Sequence, residues 1–227
     1  AVEDLEKRFK EEKRKKEDAE KAASTPIKKG ERRWYEKFHW FYTSSGKLAI
    51  GGRDAQQNEL VNSKYFEDND LFFHADIFGA SVTILKGGRD SEVEEREEVA
   101  QFAGCYSSAW KNMQKSVDVY ALTREHVGKS TDKGSLGTGS FLLSGEREWF
   151  RNVDLSLVMF ISEGLNVVPM STFEKIKAQK GIIVFATVEQ GNKQKSDAAK
   201  EIAKRLSYPD IDYIMQQLPA GTFRIGP

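Results

Sequence analysis

The stretch Asp70-Leu71-Phe72-Phe73-His74-Ala75-Asp76 gathers the side chains best equipped for chemistry. On a strand, successive side chains alternate between faces, so Asp70, Phe72, His74 and Asp76 share one side, with Leu71 and Phe73 on the other. Two carboxylates and an imidazole in line can move protons or hold a metal. They can equally form a polar network that braces a neighbouring loop. Phe72 beside His74 adds a third possibility, a stacking surface for a nucleobase. A metal site needs more ligands than this, and only His39 and His126 remain as other histidines, so neither a metal nor another cofactor is expected.

A second stretch, Ile50-Gly51-Gly52-Arg53-Asp54-Ala55-Gln56-Gln57-Asn58-Glu59, reads as a glycine-paired turn opening a helix. Glycines let the backbone approach a neighbour closely. Arg53, Gln56 and Asn58 crowd the start of the helix, where free N–H groups and partial positive charge attract phosphate. The plainer alternative is a strand-to-helix turn capped by Asp54, whose carboxylate competes with any anion. A third stretch runs from Gly128-Lys129-Ser130 to Gly134 through Ser140. It lacks the glycine that a phosphate-binding P-loop needs five positions before Gly128, where Thr123 stands, and no helix follows. What remains is a flexible loop in which Lys129 and Lys133 can meet RNA phosphates. No Ser/His/Asp or Cys/His set has a catalytic spacing, so no catalytic residues are expected.

The elements that must position these residues follow from periodicity. The aromatic run Trp34 to Tyr42 favours a strand, turned at Ser44-Ser45-Gly46 into a second strand at Leu48-Ala49-Ile50. A helix should run from Ala55 to about Tyr65. Asp70–Ala75 and Ser81–Leu85 form a second strand pair. Val99, Phe102, Ala103, Tyr106 and Trp110 fall on one face of a helix from about Glu92 to Lys111. The acidic run Glu92 to Glu98 is expected as that helix's solvated side. Cys105, within its apolar face, reads as a small buried filler, and a single cysteine excludes an internal disulfide. Strands follow at Val117–Leu122 and Phe141–Leu143. Beyond Val153, strands Val153–Ile161 and Gly181–Val188 frame a short helix at Phe173–Ala178, and two further helices cover Ser196–Leu206 and Asp210–Leu218. The fold class is α+β, mainly antiparallel sheet with packed helices, preceded by a charged, coiled-coil-like helix at residues 1–23. Expected domains are 1–30, the end of a coiled-coil arm with a basic linker; 31–150; and 151–227, a C-terminal α/β extension.

Composition sets the outer limits. The 227 residues carry 35 basic and 35 acidic side chains, which argues against a globally basic nucleic-acid binder and directs attention to local patches. Residues 1–33 hold 12 basic against 9 acidic, and residues 171–205 hold 8 against 4. No apolar run is long enough to span a membrane, and the charged start carries no signal peptide, so a cytoplasmic protein is expected. The start at Ala1 and the faded apolar seam Val2, Leu5, Phe9 lead us to expect a piece of something longer.

The strings Trp34-Tyr35-Glu36-Lys37-Phe38, Gly51 to Glu59, Asp70 to Asp76, Ala103 to Trp110 and Thr138-Gly139-Ser140-Phe141 occur in an order that resembles the NFACT-R domain of NFACT-family proteins. The tail from Val153 looks like archaeal members. The resemblance implies a role in ribosome-associated quality control. Such proteins bind large ribosomal subunits still carrying peptidyl-tRNA, recruit tRNA and support C-terminal tailing of the stalled chain. Implied partners are the large ribosomal subunit, tRNA and the NFACT-N half of the same protein. In the family's acidic-x-aromatic-x-His signature, carried here by Asp70, Phe72 and His74, Phe72 replaces the usual Trp or Tyr and loses a hydrogen-bonding edge. The leading expectation is a non-catalytic RNA- and ribosome-binding module. One rival is a protein–protein scaffold contacting the NFACT-N half. The other is a nucleic-acid-processing enzyme built on Asp54, Asp70, His74 and Asp76.

Overall fold

The aromatic run that opens the globular part folds as a turn before it becomes a strand. Glu36 N donates to Arg33 O at 3.0 Å and Phe38 N to Tyr35 O at 3.0 Å, so strand β1 covers only His39–Tyr42. The computed structural model describes residues 33–131 and 134–227, and the charged arm, most of the basic linker and Lys133 lie outside the described residues. Gly46, at φ +93°, closes the hairpin to β2, Leu48–Gly51. Helix α1, Ala55–Leu60, follows and continues as one π-helical turn, Val61–Tyr65, where a single α-helix was expected. Then come β3, Leu71–Ala75, and β4, Thr83–Leu85.

The expected helix 92–111 breaks in two. Helix α2 spans Val93–Cys105, and Ser107 caps the short α3, Ser108–Lys111, by accepting from Ala109 N at 3.2 Å. Strand β5, Ser116–Thr123, leads to small ladders made by β6, Val127–Gly128, with β9, Leu142–Leu143, and by β7, Ser130–Thr131, with β8, Gly134–Ser135. The strand expected at 153–161 is two strands. Strand β10, Glu148–Asp154, completes the first sheet, and β11, Leu157–Ile161, begins a second. The rest is β12, Leu165–Pro169; α4, Met170–Ile176; β13, Phe185–Lys193; α5, Lys195–Leu206; α6, Ile211–Gln217; and an unanticipated β14, Phe223–Gly226. The fold is α+β. The first sheet runs β1-β2-β4-β3-β5-β10 and the second β12-β11-β13-β14, with every pairing antiparallel. Among the described residues no helix is long and apolar enough to cross a membrane.

Helix α2 is the wall shared by both sheets. A Cβ added to Gly104 would lie 3.1 Å from Val117 on the first sheet and 3.1 Å from Leu155, which leads into the second. Phe73, Phe102, Val119, Met159, Ile202 and Phe223 therefore belong to one continuous core. The acidic run of α2 was expected to face solvent, and this is corrected: Glu95 is 5% exposed and Glu98 is 0% exposed. Glu98 accepts from Ser44 N at 2.8 Å and Ser44 Oγ at 2.5 Å on the first hairpin, and from Thr172 Oγ1 at 2.9 Å and Lys175 Nζ at 2.7 Å on α4. Gln101, one turn on, accepts from Ser171 N at 2.9 Å and donates to Asp154 O at 3.2 Å. Spacing of three residues aligns Glu95, Glu98 and Gln101 into a polar seam that joins the two sheets. Glu95 meets Thr43 Oγ1, Ser45 Oγ and Lys47 Nζ.

The opposite face of the first sheet carries a second, smaller core. Phe38, Ile50, Val61, Phe66, Phe72, Ile84 and Leu122 pack there, roofed by segment 55–65 and the strands around Val127 and Phe141.

Candidate nucleic-acid interface

Strand β3 places the sequence's first candidates on that second face, but mostly underneath the roof. Phe72 is fully buried, with its ring near Phe66 at 6.1 Å and Phe141 at 6.3 Å. It offers no face to a base, and the stacking surface expected at Asp70, Phe72 and His74 is corrected accordingly. The reason is that both faces of this sheet are covered, so alternation separates two cores here rather than core from solvent. Asp70 is buried too. Its carboxylate accepts from Glu67 N at 2.8 Å, Gly87 N at 2.8 Å and Lys86 Nζ at 2.5 Å, which pins two turns to the start of β3. This is the loop-bracing alternative. His74 lies at the edge of the roof, half-buried, with Nδ1 3.4 Å from Tyr120 Oη. Burial lowers its pKa, outweighing the backbone and Asp76 interactions that raise it.

His39 behaves the same way more strongly. It stacks on Tyr106, centroids 3.9 Å apart, and burial together with the cations Arg53 and Lys195 pushes its pKa well below the usual imidazole value. Both imidazoles thus resist protonation in the fold, whereas the unfolded chain takes up protons near pH 6.5. Their contribution to stability is complete above that pH and declines as pH falls toward the folded values. Urea unfolding midpoints should therefore drop between pH 7.5 and 5.5, and less steeply in His39→Phe, which keeps the stack. A midpoint independent of pH across that range in the parent would contradict the burial argument.

The glycine-paired string is a structural hub. A Cβ on Gly52 would fall 2.2 Å from Asn58 Oδ1 and 2.7 Å from Asn58 N, so only glycine fits. Buried Asn58 in turn accepts from Val82 N at 3.1 Å. Asp54 caps the helix, accepting from Gln57 N at 2.8 Å, and fills the place an anion would take. Arg53 donates to Phe38 O at 3.0 Å, Glu36 O at 3.3 Å and Gln216 Oε1 at 3.3 Å, tying the aromatic turn to α6. Lys129 is paired with Glu59 and donates to Gly137 O at 2.8 Å and Ser140 O at 3.1 Å, so it organises its own loop. Gln56 and Asp54 are the exposed members of the string's candidates.

What the structure brings together at the open end of the face is a row the sequence reading missed. The register sets His74 of β3 opposite Tyr120 of β5, and Tyr120 opposite Trp149 of the outer strand β10. Ring centroids are 5.8 Å apart for His74 and Tyr120, and 5.2 Å for Tyr120 and Trp149. Two guanidinium groups lie over these rings: Arg147 at 4.9 Å from the Tyr120 centroid and Arg151 at 3.9 Å from that of Trp149. Arg151 is also paired with Asp118 at 2.7 Å, and Asn152, at φ 52° in a bulge of β10, donates its N–H to Asp118 at 2.8 Å. These two contacts, the backbone one first, hold the Asp118 carboxyl below its usual range. Trp149 remains 36% exposed. Tyr120 is only 5% exposed, so Trp149, with Arg151 over its ring on the outer strand, is the member suited to the stacking and phosphate contacts of unpaired nucleic acid. The missed signal was the alternation Arg147-x-Trp149-x-Arg151, obscured by an expected domain boundary at residue 150. Among the described residues no group of carboxylate, histidine and cysteine side chains could hold a metal.

Residues 37–145 match the family described as NFACT protein RNA binding domain. The chain is 36% identical over 195 residues to the archaeal Rqc2 homolog aRqcH of Methanocaldococcus jannaschii, covering 84% of this chain and 29% of that protein. It is 37% identical over 127 residues to the ribosome quality control complex subunit NEMF homolog of Drosophila melanogaster, covering 55% of this chain and 13% of that one. It is 36% identical over 119 residues to the ribosome quality control complex subunit NEMF of Homo sapiens, covering 51% of this chain and 11% of that one. The chain spans less than a third of the length of each of these relatives.

Proposed function

We propose a function from one premise: this chain belongs to the NFACT family, through its RNA binding domain and its likeness to the archaeal relative. It is the RNA- and ribosome-binding module of a ribosome quality control factor. Within the whole protein it contacts the large ribosomal subunit and tRNA, cooperates with the NFACT-N half, works in the cytoplasm and supports tailing of stalled chains without performing catalysis itself. The observation that carries the RNA-binding part is Trp149, 36% exposed on the outer strand with Arg151 over its ring, at the end of a row that runs inward through buried Tyr120, under Arg147, to half-buried His74.

Fluorescence anisotropy with unpaired RNA, titrated with salt, tests it. A footprint of roughly 3–5 phosphates should make affinity fall steeply from low to physiological salt. Trp149→Ala should weaken binding by about 1–3 kcal/mol, the usual worth of one base–aromatic stack, while the melting temperature stays unchanged because the ring is partly in solvent. Binding that ignores both salt and Trp149 would remove this reading and leave the protein–protein scaffold. RNA cleavage by the purified chain would replace it with an enzyme.

A further inference from the structure

The Trp149 row has a counterpart at the other end of the same sheet face. Trp34 lies flat on Tyr65, centroids 4.6 Å and planes 11° apart, and 47% of Trp34 is exposed. Lys37 and Lys64 stand 5.2 and 5.6 Å from the centre of the Tyr65 ring, and Lys37 donates to the Tyr65 hydroxyl at 3.1 Å. Tyr35 links this stack to Trp40 of β1, at 5.0 Å, and Trp40 shares its sheet face with Ile50, Ile84 and Phe72 by register. The stack thus sits at the β1 edge and the Trp149 row at the β10 edge, the two outer strands of the sheet. Segment 55–65 roofs the face between them, with Gln56, Ser63 and Lys64 of that roof exposed. At about 4.8 Å per strand, the edges are roughly 24 Å apart.

We propose that one unpaired RNA strand engages both patches at once, stacking on the Trp149 row at one end and on Trp34 at the other, with Lys37 and Lys64 facing its phosphates. This rests on the RNA-binding reading and adds to it a second contact point and a minimum ligand length. Neither lysine is held by a carboxylate among the described residues, so both remain available to phosphate. Once one patch is occupied, the second meets a tethered strand at high effective concentration, so affinity should rise in a step when the RNA becomes long enough to reach.

The experiment compares unpaired uridine oligonucleotides of about four and about twelve nucleotides, lengths within the range such surfaces accept. In the parent chain the longer RNA should bind at least about tenfold more tightly per site than the shorter. Trp34→Ala and the pair Lys37→Glu with Lys64→Glu should each remove that advantage, and Trp149→Ala should do the same from the other end. The lysine pair leaves every ring in place, so it still reports if the Trp34 variant folds poorly. Melting curves on all variants accompany the titrations. A parent chain that binds neither RNA sinks the RNA-binding reading itself. A parent chain that binds, and loses affinity on Trp149→Ala, yet shows no length step or no response to the Lys37 and Lys64 changes, overturns the two-patch proposal alone.

Discussion

Glu98→Ala is expected to destabilise the protein by about 2–6 kcal/mol, the cost of leaving two of its donors without an acceptor. Glu98 is 0% exposed and its two oxygens receive four donors, from Ser44, Thr172 and Lys175. Lys175 is 39% exposed on its side chain, so water can take over its charge and the ion pair is not the main loss. The loss lies with the fully buried Thr172 hydroxyl and the part-buried Ser44 N–H, which would be left without this acceptor, at about 1–3 kcal/mol each. Glu98→Gln keeps one acceptor oxygen and the volume, and should cost clearly less. Glu97→Ala, on the exposed side of the same helix, should cost almost nothing. Chemical denaturation of the three variants checks the ranking. A Glu98→Ala loss no larger than that of Glu97→Ala would mean that the polar seam does not hold the sheets together.

Phe72→Ala should cost a similar amount, about 3–5 kcal/mol, for a different reason. The ring is fully enclosed by Phe66, Ile84, Leu122 and Phe141 on the smaller core, and its removal opens a cavity beneath segment 55–65. RNA affinity of the folded fraction should be unchanged, because no part of the ring reaches the surface. Trp149→Ala is expected to show the reverse pattern, with affinity lost and stability kept. A Phe72→Ala protein that melts normally and binds RNA weakly would return the interface to the centre of β3.

The element pattern was largely legible in the sequence because hydrophobic periodicity records which sides of an element are covered. The hairpin at Ser44-Ser45-Gly46, the pairing of β3 with β4 and the buried face Val99, Phe102, Ala103, Tyr106 and Trp110 all follow from it. Periodicity fails where polar residues are buried in company. Glu95 and Glu98 look like a solvated face because their partners, at positions 43 to 47 and 172 to 175, are remote in sequence. The same blindness affected the site. Asp70, Arg53, Asn58 and Lys129 were singled out as candidates for RNA contact, and each is engaged with the fold's own backbone and side chains. Conspicuous polar strings mark places where a structure is demanding, and structural demand and ligand binding leave similar traces. The Trp149 row was hidden for the opposite reason: its rings come from single residues on three strands, and only its outer end, Arg147-x-Trp149-x-Arg151, is a local string.

The sharing of α2 between two sheets has a consequence for the order in which the chain can be completed during its own synthesis. Ser44 is already available when Glu98 emerges, but Thr172 and Lys175 are not. Translation must advance from position 98 to 175, and at roughly 5–20 residues per second this takes about 4–15 s. Throughout that interval the nascent helix has one wall, with its second apolar side and half-partnered carboxylate still uncovered. The first sheet can form early, but the helix behind it is covered on both sides, and Glu98 fully partnered, only when the extension arrives.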